Sequence, residues 1–78
     1  PNPFNPSTTI TYSLPEEAAV LLEIYSASGQ KIALVDRGRK NAGIHTAVWN
    51  AHGKSSGLYL YRLQAGSFSQ TRKVILMK

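Results

Sequence analysis

Gly57-Leu58-Tyr59-Leu60-Tyr61-Arg62-Leu63 alternates with period two. Tyr59, Tyr61 and Leu63 fall on one side of an extended chain, and Leu58, Leu60 and Arg62 on the other. Aromatic and large aliphatic residues at that spacing predict a central strand packed on both faces. Thr8–Leu14 alternates as cleanly. Ile10, Tyr12 and Leu14 face inward, while Thr9, Thr11 and Ser13 face out. Further strands are predicted over Lys31–Val35, Ile44–Trp49 and Phe68–Met77. In the second of these, His45, Ala47 and Trp49 share a face. The last carries Arg72 and Lys73.

Ala18–Ser26 is two-sided. Pro15-Glu16-Glu17 ahead of Ala18-Ala19 reads as a helix start, and Glu, Ala and Leu favour helix. Val20, Leu22 and Ile24 alternate instead, and Ser28-Gly29 signals a turn. Local pattern leaves the two evenly matched. Strand is preferred because every other segment is β and a lone helix would need a packing surface of its own.

Between the strands lie polar connections. Asp36–Gly43 reads as a basic loop with Arg37, Arg39, Lys40 and two glycines. Asn50–Ser56 is a second loop, and Ala65-Gly66-Ser67 a tight hairpin turn. Pro1–Pro6 has proline at three positions, which predicts a stiff, extended lead-in with Phe4 as its anchor. Six or seven short strands with turns at this spacing predict an all-β fold, a small antiparallel sandwich. Proline in the lead-in and lysine in the last strand would guard its edges.

A chain of 78 residues allows one domain, residues 1–78, with a stability margin of a few kcal/mol. No cysteine is present to add a disulfide or thiolate–metal site. The longest apolar run, Ala18–Leu22, is too short for a membrane helix or a signal-peptide core. The chain opens at Pro1 without methionine and is expected to be excised from a longer secreted protein. The strand running to Lys78 suits a natural C-terminus. A net charge of +5 favours acidic partners such as nucleic acid or an anionic glycolipid, although scattered cations would equally serve solubility.

Candidate chemistry is sparse. Gly53-Lys54-Ser55 resembles the end of a phosphate loop, but Val48 stands where the motif needs glycine, and a strand follows it. His45 and His52 have no cysteine or carboxylate nearby to complete a metal site. Asp36 could orient a histidine, yet no serine sits at a strand-to-helix elbow. Adjacent Glu16 and Glu17 cannot flank a sugar as a glycosidase pair does. No enzyme, cofactor or metal is therefore expected. Trp49, Tyr59 and Tyr61 could stack on a ring, but a sandwich this small needs them as core. Arg37–Lys40 lacks interleaved aromatics, so it reads as a solvated loop and no nucleic acid is expected.

In order, the chain contains Pro1-Asn2-Pro3-Phe4-Asn5-Pro6-Ser7-Thr8-Thr9-Ile10, Leu14-Pro15, Leu22-Glu23-Ile24-Tyr25 with Gly29, and Gly43 with Trp49. Ser56-Gly57-Leu58-Tyr59-Leu60-Tyr61-Arg62-Leu63 and Thr71-Arg72-Lys73 complete the series. This pattern resembles the type A C-terminal sorting domain of the type IX secretion system. It is also similar to the related immunoglobulin-like domain of the flagellar hook-capping protein. The resemblance implies an immunoglobulin-like or fibronectin-III-like sandwich of about seven strands, with Ala18–Ser26 as a strand. It implies a non-catalytic signal that takes an N-terminal cargo domain through the periplasm to the outer-membrane translocon and its sorting and attachment machinery. The cargo is then secreted or held at the cell surface, commonly after removal of the domain or attachment to anionic lipopolysaccharide.

Carried over by position, the recognition residues would be Pro1, Asn2, Pro3, Phe4, Asn5 and Pro6, with Gly29, Gly57 and Tyr59, and finally Arg72, Lys73 and Lys78. Ile10, Tyr12, Leu22, Ile24, Trp49, Tyr61 and Leu63 would form the core. Phe68–Lys78 is the expected recognition strand, and edge-strand self-association a further expectation. The sequence departs from the family at Asn50 and Ser26, where aspartate is usual, and in its short Asn50–Ser56 loop. The rival expectations are a passive immunoglobulin-like accessory module, either a spacer or a weak carbohydrate binder, and a basic nucleic-acid binder.

Overall fold

The computed structural model describes residues 7–77. The Pro1–Pro6 lead-in and Lys78 lie outside them. Six strands follow one another: β1 Ser7–Leu14, β2 Ala18–Ser26, β3 Lys31–Lys40, β4 Gly43–Asn50, β5 Gly57–Ala65 and β6 Phe68–Leu76. They form two antiparallel sheets. One is the pair β1-β4; the other has the order β3-β2-β5-β6. The fold is an all-β sandwich of immunoglobulin-like kind, with six strands among the described residues where about seven were expected.

Alternation decides β2. Leu22 and Ile24 are fully buried and Val20 nearly so, while Glu16 and Glu17, which read as the first turn of a helix, sit in the β1–β2 connection. β2 lies between β3 and β5, so a helix there would leave β3 without a ladder and β5 with β6 alone. Ile10, Tyr12 and Leu14 of β1 meet Val20, Leu22 and Ile24 across the sandwich in a single buried cluster. Trp49, Leu63, Val74 and Leu76 join the same cluster.

The basic loop expected over Asp36–Gly43 does not exist as such. β3 continues through Asp36-Arg37-Gly38-Arg39-Lys40, leaving only Asn41 and Ala42 before β4. Two register shifts against β2 explain the misreading. Leu22 pairs with Asp36 but Glu23 with Leu34, which leaves Val35 extra. Ile24 pairs with Ala33 but Tyr25 with Lys31, which leaves Ile32 extra. Each bulge breaks the period-two pattern on an edge strand, where charge and glycine are well tolerated.

β5 does lie inside its sheet, between β2 and β6, but it is packed on one face only. Leu63 is buried, and Leu58 and Arg62 are exposed. Among the described residues two strands face four, and on the larger sheet's inner surface Tyr61 packs against the core while staying half-buried.

Two side-chain contacts tie the layers together. The Tyr12 hydroxyl on β1 donates to Asp36 Oδ2 on β3 at 3.1 Å. Asp36 Oδ1 accepts from the Arg37 amide at 2.8 Å and pairs with Lys40 Nζ at 3.2 Å. Asp36 is thus a charge turned inward on an edge strand, a device that discourages indiscriminate pairing. Trp49 of β4 packs edge-on against Tyr59 of β5, with ring centroids 5.2 Å apart.

Candidate functional site

Register brings together most of the described residues singled out in the sequence. In the β5–β6 ladder Gly57 pairs with Leu76, Tyr59 with Val74, Leu60 with Lys73 and Tyr61 with Arg72. Ser26, the last residue of β2, pairs with Tyr59. The turn holding Gly29 therefore lies at the same end of the sheet as Gly57 and the end of β6. On the other sheet Ser7 pairs with Asn50 and Thr8 with Trp49. Trp49 touches Tyr59, so the point where the lead-in joins β1 lies at this same pole. Pro1, Asn2, Pro3, Phe4, Asn5, Pro6 and Lys78 themselves fall outside the described residues.

Local chemistry explains several of these positions. Ser26 O accepts from the Gly29 amide at 2.9 Å, and the Ser26 amide donates to Gln30 O at 2.8 Å, closing the β2–β3 hairpin. Gly29 has φ of 95° there, a conformation open to glycine at little expense. Gly57 enters β5 at φ 149°, also unfavourable for a residue with Cβ. The Tyr59 hydroxyl donates to Ser55 O at 2.7 Å and fixes the loop ahead of β5. Tyr59 is thus committed to the fold, and Trp49, at 4% exposure, offers no face to a sugar.

β6 is the outermost strand of its sheet. One side of its backbone is laddered to β5, and the other borders no strand of the described residues. Val74 and Leu76 are buried and hold it to the sandwich, while Arg72 and Lys73 are exposed. Such an edge can accept an extended partner chain through main-chain hydrogen bonds.

Of the residues considered for chemistry, Asp36 and His45 both contact Tyr12, whereas His52 and Lys54 lie in the β4–β5 loop. Among the described residues no three of His, Cys, Asp and Glu gather to hold a metal ion. The His45 ring stacks on Tyr12 at 5.4 Å and its Nε2–H donates to Asn41 O at 2.7 Å. His52 is exposed, its amide donating to Asn50 Oδ1 at 3.1 Å. Lys54 sits in a turn closed by its amide and Ala51 O at 3.0 Å, followed by β5 and no helix.

Sequence reasoning missed the roles of two acids, Asp36 and Glu23. Burial works against the Asp36 carboxylate, but hydrogen bonds from Lys40, Tyr12 and the Arg37 amide outweigh it and hold its pKa below the usual range. The same contact, with burial foremost, pushes the Tyr12 hydroxyl up to about 12. Glu23, buried on the outer face of the large sheet, accepts from the Tyr25 hydroxyl at 2.8 Å and pairs with Lys31 at 3.1 Å. The Tyr25 bond leads in lowering its pKa, burial opposes, and Lys31 and Arg62 add to the lowering. The alternation of β2 did place Glu23 opposite Leu22 and Ile24. Its burial depends on neighbours from β3 and β5 that only the pairing reveals.

A family model described as a secretion system C-terminal sorting domain matches residues 1–77. No curated protein and no solved structure matches the chain.

Proposed function

The chain belongs to the C-terminal sorting domains of type IX secretion, and from that premise we propose that it is a non-catalytic signal read at the β6 edge. A protein bearing such a domain is exported, to be secreted or held at the cell surface, and the domain interacts with the secretion and sorting machinery. In this reading the N-terminal cargo crosses the periplasm, and the outer-membrane translocon or its sorting partner adds a strand beside β6. Arg72 and Lys73 supply side-chain contacts, and the pole around Gly29, Gly57 and Tyr59 keeps the end of β6 in register. One observation carries the proposal: the motif positions within the described residues converge where the last strand ends, and that strand has a backbone edge that borders no strand of the described residues. Sorting of this kind needs a grip and no chemistry.

The test exploits the alternation of an edge strand. Successive residues of β6 point their N–H groups alternately toward β5 and away from it. Arg72→Pro and Lys73→Pro therefore remove one inward and one outward donor. The variants are fused behind a reporter with a signal peptide in a host that has the secretion system. The outward variant should keep its circular dichroism and melting transition yet fail to bring the reporter to the surface. A variant that folds with the outward donor removed and still exports at the normal level refutes recognition by strand addition.

A further inference from the structure

Four of the nine Lys and Arg residues of this chain meet on one face. On the outer face of the β1-β4 sheet, Thr9 pairs with Val48, Thr11 with Thr46 and Ser13 with Ile44, and no charge appears among them. The outer face of the β3-β2-β5-β6 sheet is the opposite case. Leu21 pairs with Arg37 and Gln64, Glu23 with Leu34 and Arg62, and Tyr25 with Lys31 and Leu60. Leu60 in turn pairs with Lys73, and Leu58 with Ile75. Directly paired residues share a face, so Lys31, Arg37, Arg62 and Lys73 stand together. The contacts agree with the pairing: Lys31 reaches Glu23, and Arg62 Nε donates to Ser69 Oγ at 3.3 Å.

Glu23 is the one acid among these pairs, buried beneath its own partners, Tyr25 and Lys31, and at the end of the face Arg39, paired with Ala19, is neutralised by Glu17 at 2.8 Å. The field seen from solvent is positive. Between the cations the face carries bare aliphatic groups: Leu34 is 54% exposed, Ile75 62%, and Leu58 39%. We propose that this face docks on the surface of an anionic lipid bilayer, cations against headgroup phosphates and Leu34, Leu58 and Ile75 at the acyl boundary. Charge complementarity names an anionic partner. The aliphatic groups favour a bilayer over a nucleic acid or acidic glycan, which give such side chains nothing apolar to enter. Tyr25, the aromatic of the face, has its hydroxyl committed to Glu23 and is itself half-buried, a poor platform for stacking bases. The proposal concerns the face opposite the sandwich interior and does not rest on recognition at the β6 edge. Docked flat, the sheet would still leave that edge open sideways.

The test is sedimentation of the chain with phosphatidylcholine vesicles, with and without about one-third phosphatidylglycerol. Binding is expected only to the anionic vesicles. Each cation near such a surface contributes roughly five-fold, so Arg37→Gln with Lys73→Gln should weaken partition by about 25-fold. Leu34→Ser with Ile75→Ser should also weaken it, and in a way that high salt does not mask. Ile44→Ser with Val48→Ser, on the uncharged face, should leave it unchanged. All these positions are exposed, and circular dichroism verifies that each variant is folded. Absence of binding, equal loss from the uncharged-face variant, or duplex DNA binding of equal strength that ignores Leu34→Ser/Ile75→Ser would each overturn the proposal.

Discussion

Tyr12→Phe isolates the hydrogen bond that joins the two sheets. Phenylalanine keeps the ring, its place in the core and its stack on His45, so no cavity opens. Only the donor to Asp36 Oδ2 is lost. Hydrogen bonds to charged groups contribute about 1.5–3 kcal/mol. This one, at 3.1 Å, is longer than the best O–H···O contacts. Asp36 also retains Lys40 and the Arg37 amide, so the lower end of that range, about 1.5 kcal/mol, is expected. Urea unfolding at neutral pH is the assay. With a slope of about 1 kcal/mol/M for a chain this small, the midpoint should fall by about 1.5 M with the slope unchanged. In an Asp36→Ala background the same substitution should move the midpoint by less than about a third as much, because the partner is already gone. A midpoint within roughly 0.3 M of the parent, or an equal loss in both backgrounds, would refute the account.

Tyr12 also sets an alkaline limit. Its folded pKa is raised to about 12. That stabilisation is complete below the unfolded value near 10 and is lost as pH rises through the folded one. Its size is on the order of 2–3 kcal/mol, so stability measured from pH 9 to 12 should fall less steeply in Tyr12→Phe than in the parent. Leu22→Ala empties a site with no exposure at all. The expected loss of about 2–5 kcal/mol is a large part of a small domain's stability, and should appear as a lowered or absent thermal transition by circular dichroism.

How much of this fold was written plainly in the sequence depended on where each strand sits. β1 alternates cleanly because one of its faces is core and the other solvent, and Ile10, Tyr12 and Leu14 were readable at once. β2 was readable only against the β character of the rest, since Glu, Ala and Leu carry helix propensity that tertiary packing overrides. The second half of β3 was hidden. Asp36-Arg37-Gly38-Arg39-Lys40 has the composition of a loop, and the bulges at Ile32 and Val35 destroy the period that would have revealed it. Tyr61 packs against the core, as its spacing indicated, but is only half-buried. Burial depends on what lies across the sandwich, where among the described residues two strands face four. The candidate edge was half legible. The family resemblance named Arg72 and Lys73, whereas a backbone edge that borders no strand of the described residues is a property of strand order, which no local pattern encodes. The cationic face is hidden in the same way, because its members are spread from Lys31 to Lys73 and meet only through registration.

β6 is held by Val74 and Leu76, which are buried, and joined to β5 through the two-residue turn at Gly66-Ser67. A stretch of chain presents a one-sided backbone edge only while its other side is occupied. An unfolded tail has both sides open and none of the registration that aligns Lys73 with Leu60. Under the proposed role, a receptor that reads the edge would therefore be inspecting the product of folding and not a linear peptide. Cargo whose tail had failed to fold would carry the full sequence of the signal and still lack the signal. Secretion and quality control would then be one and the same act of strand pairing.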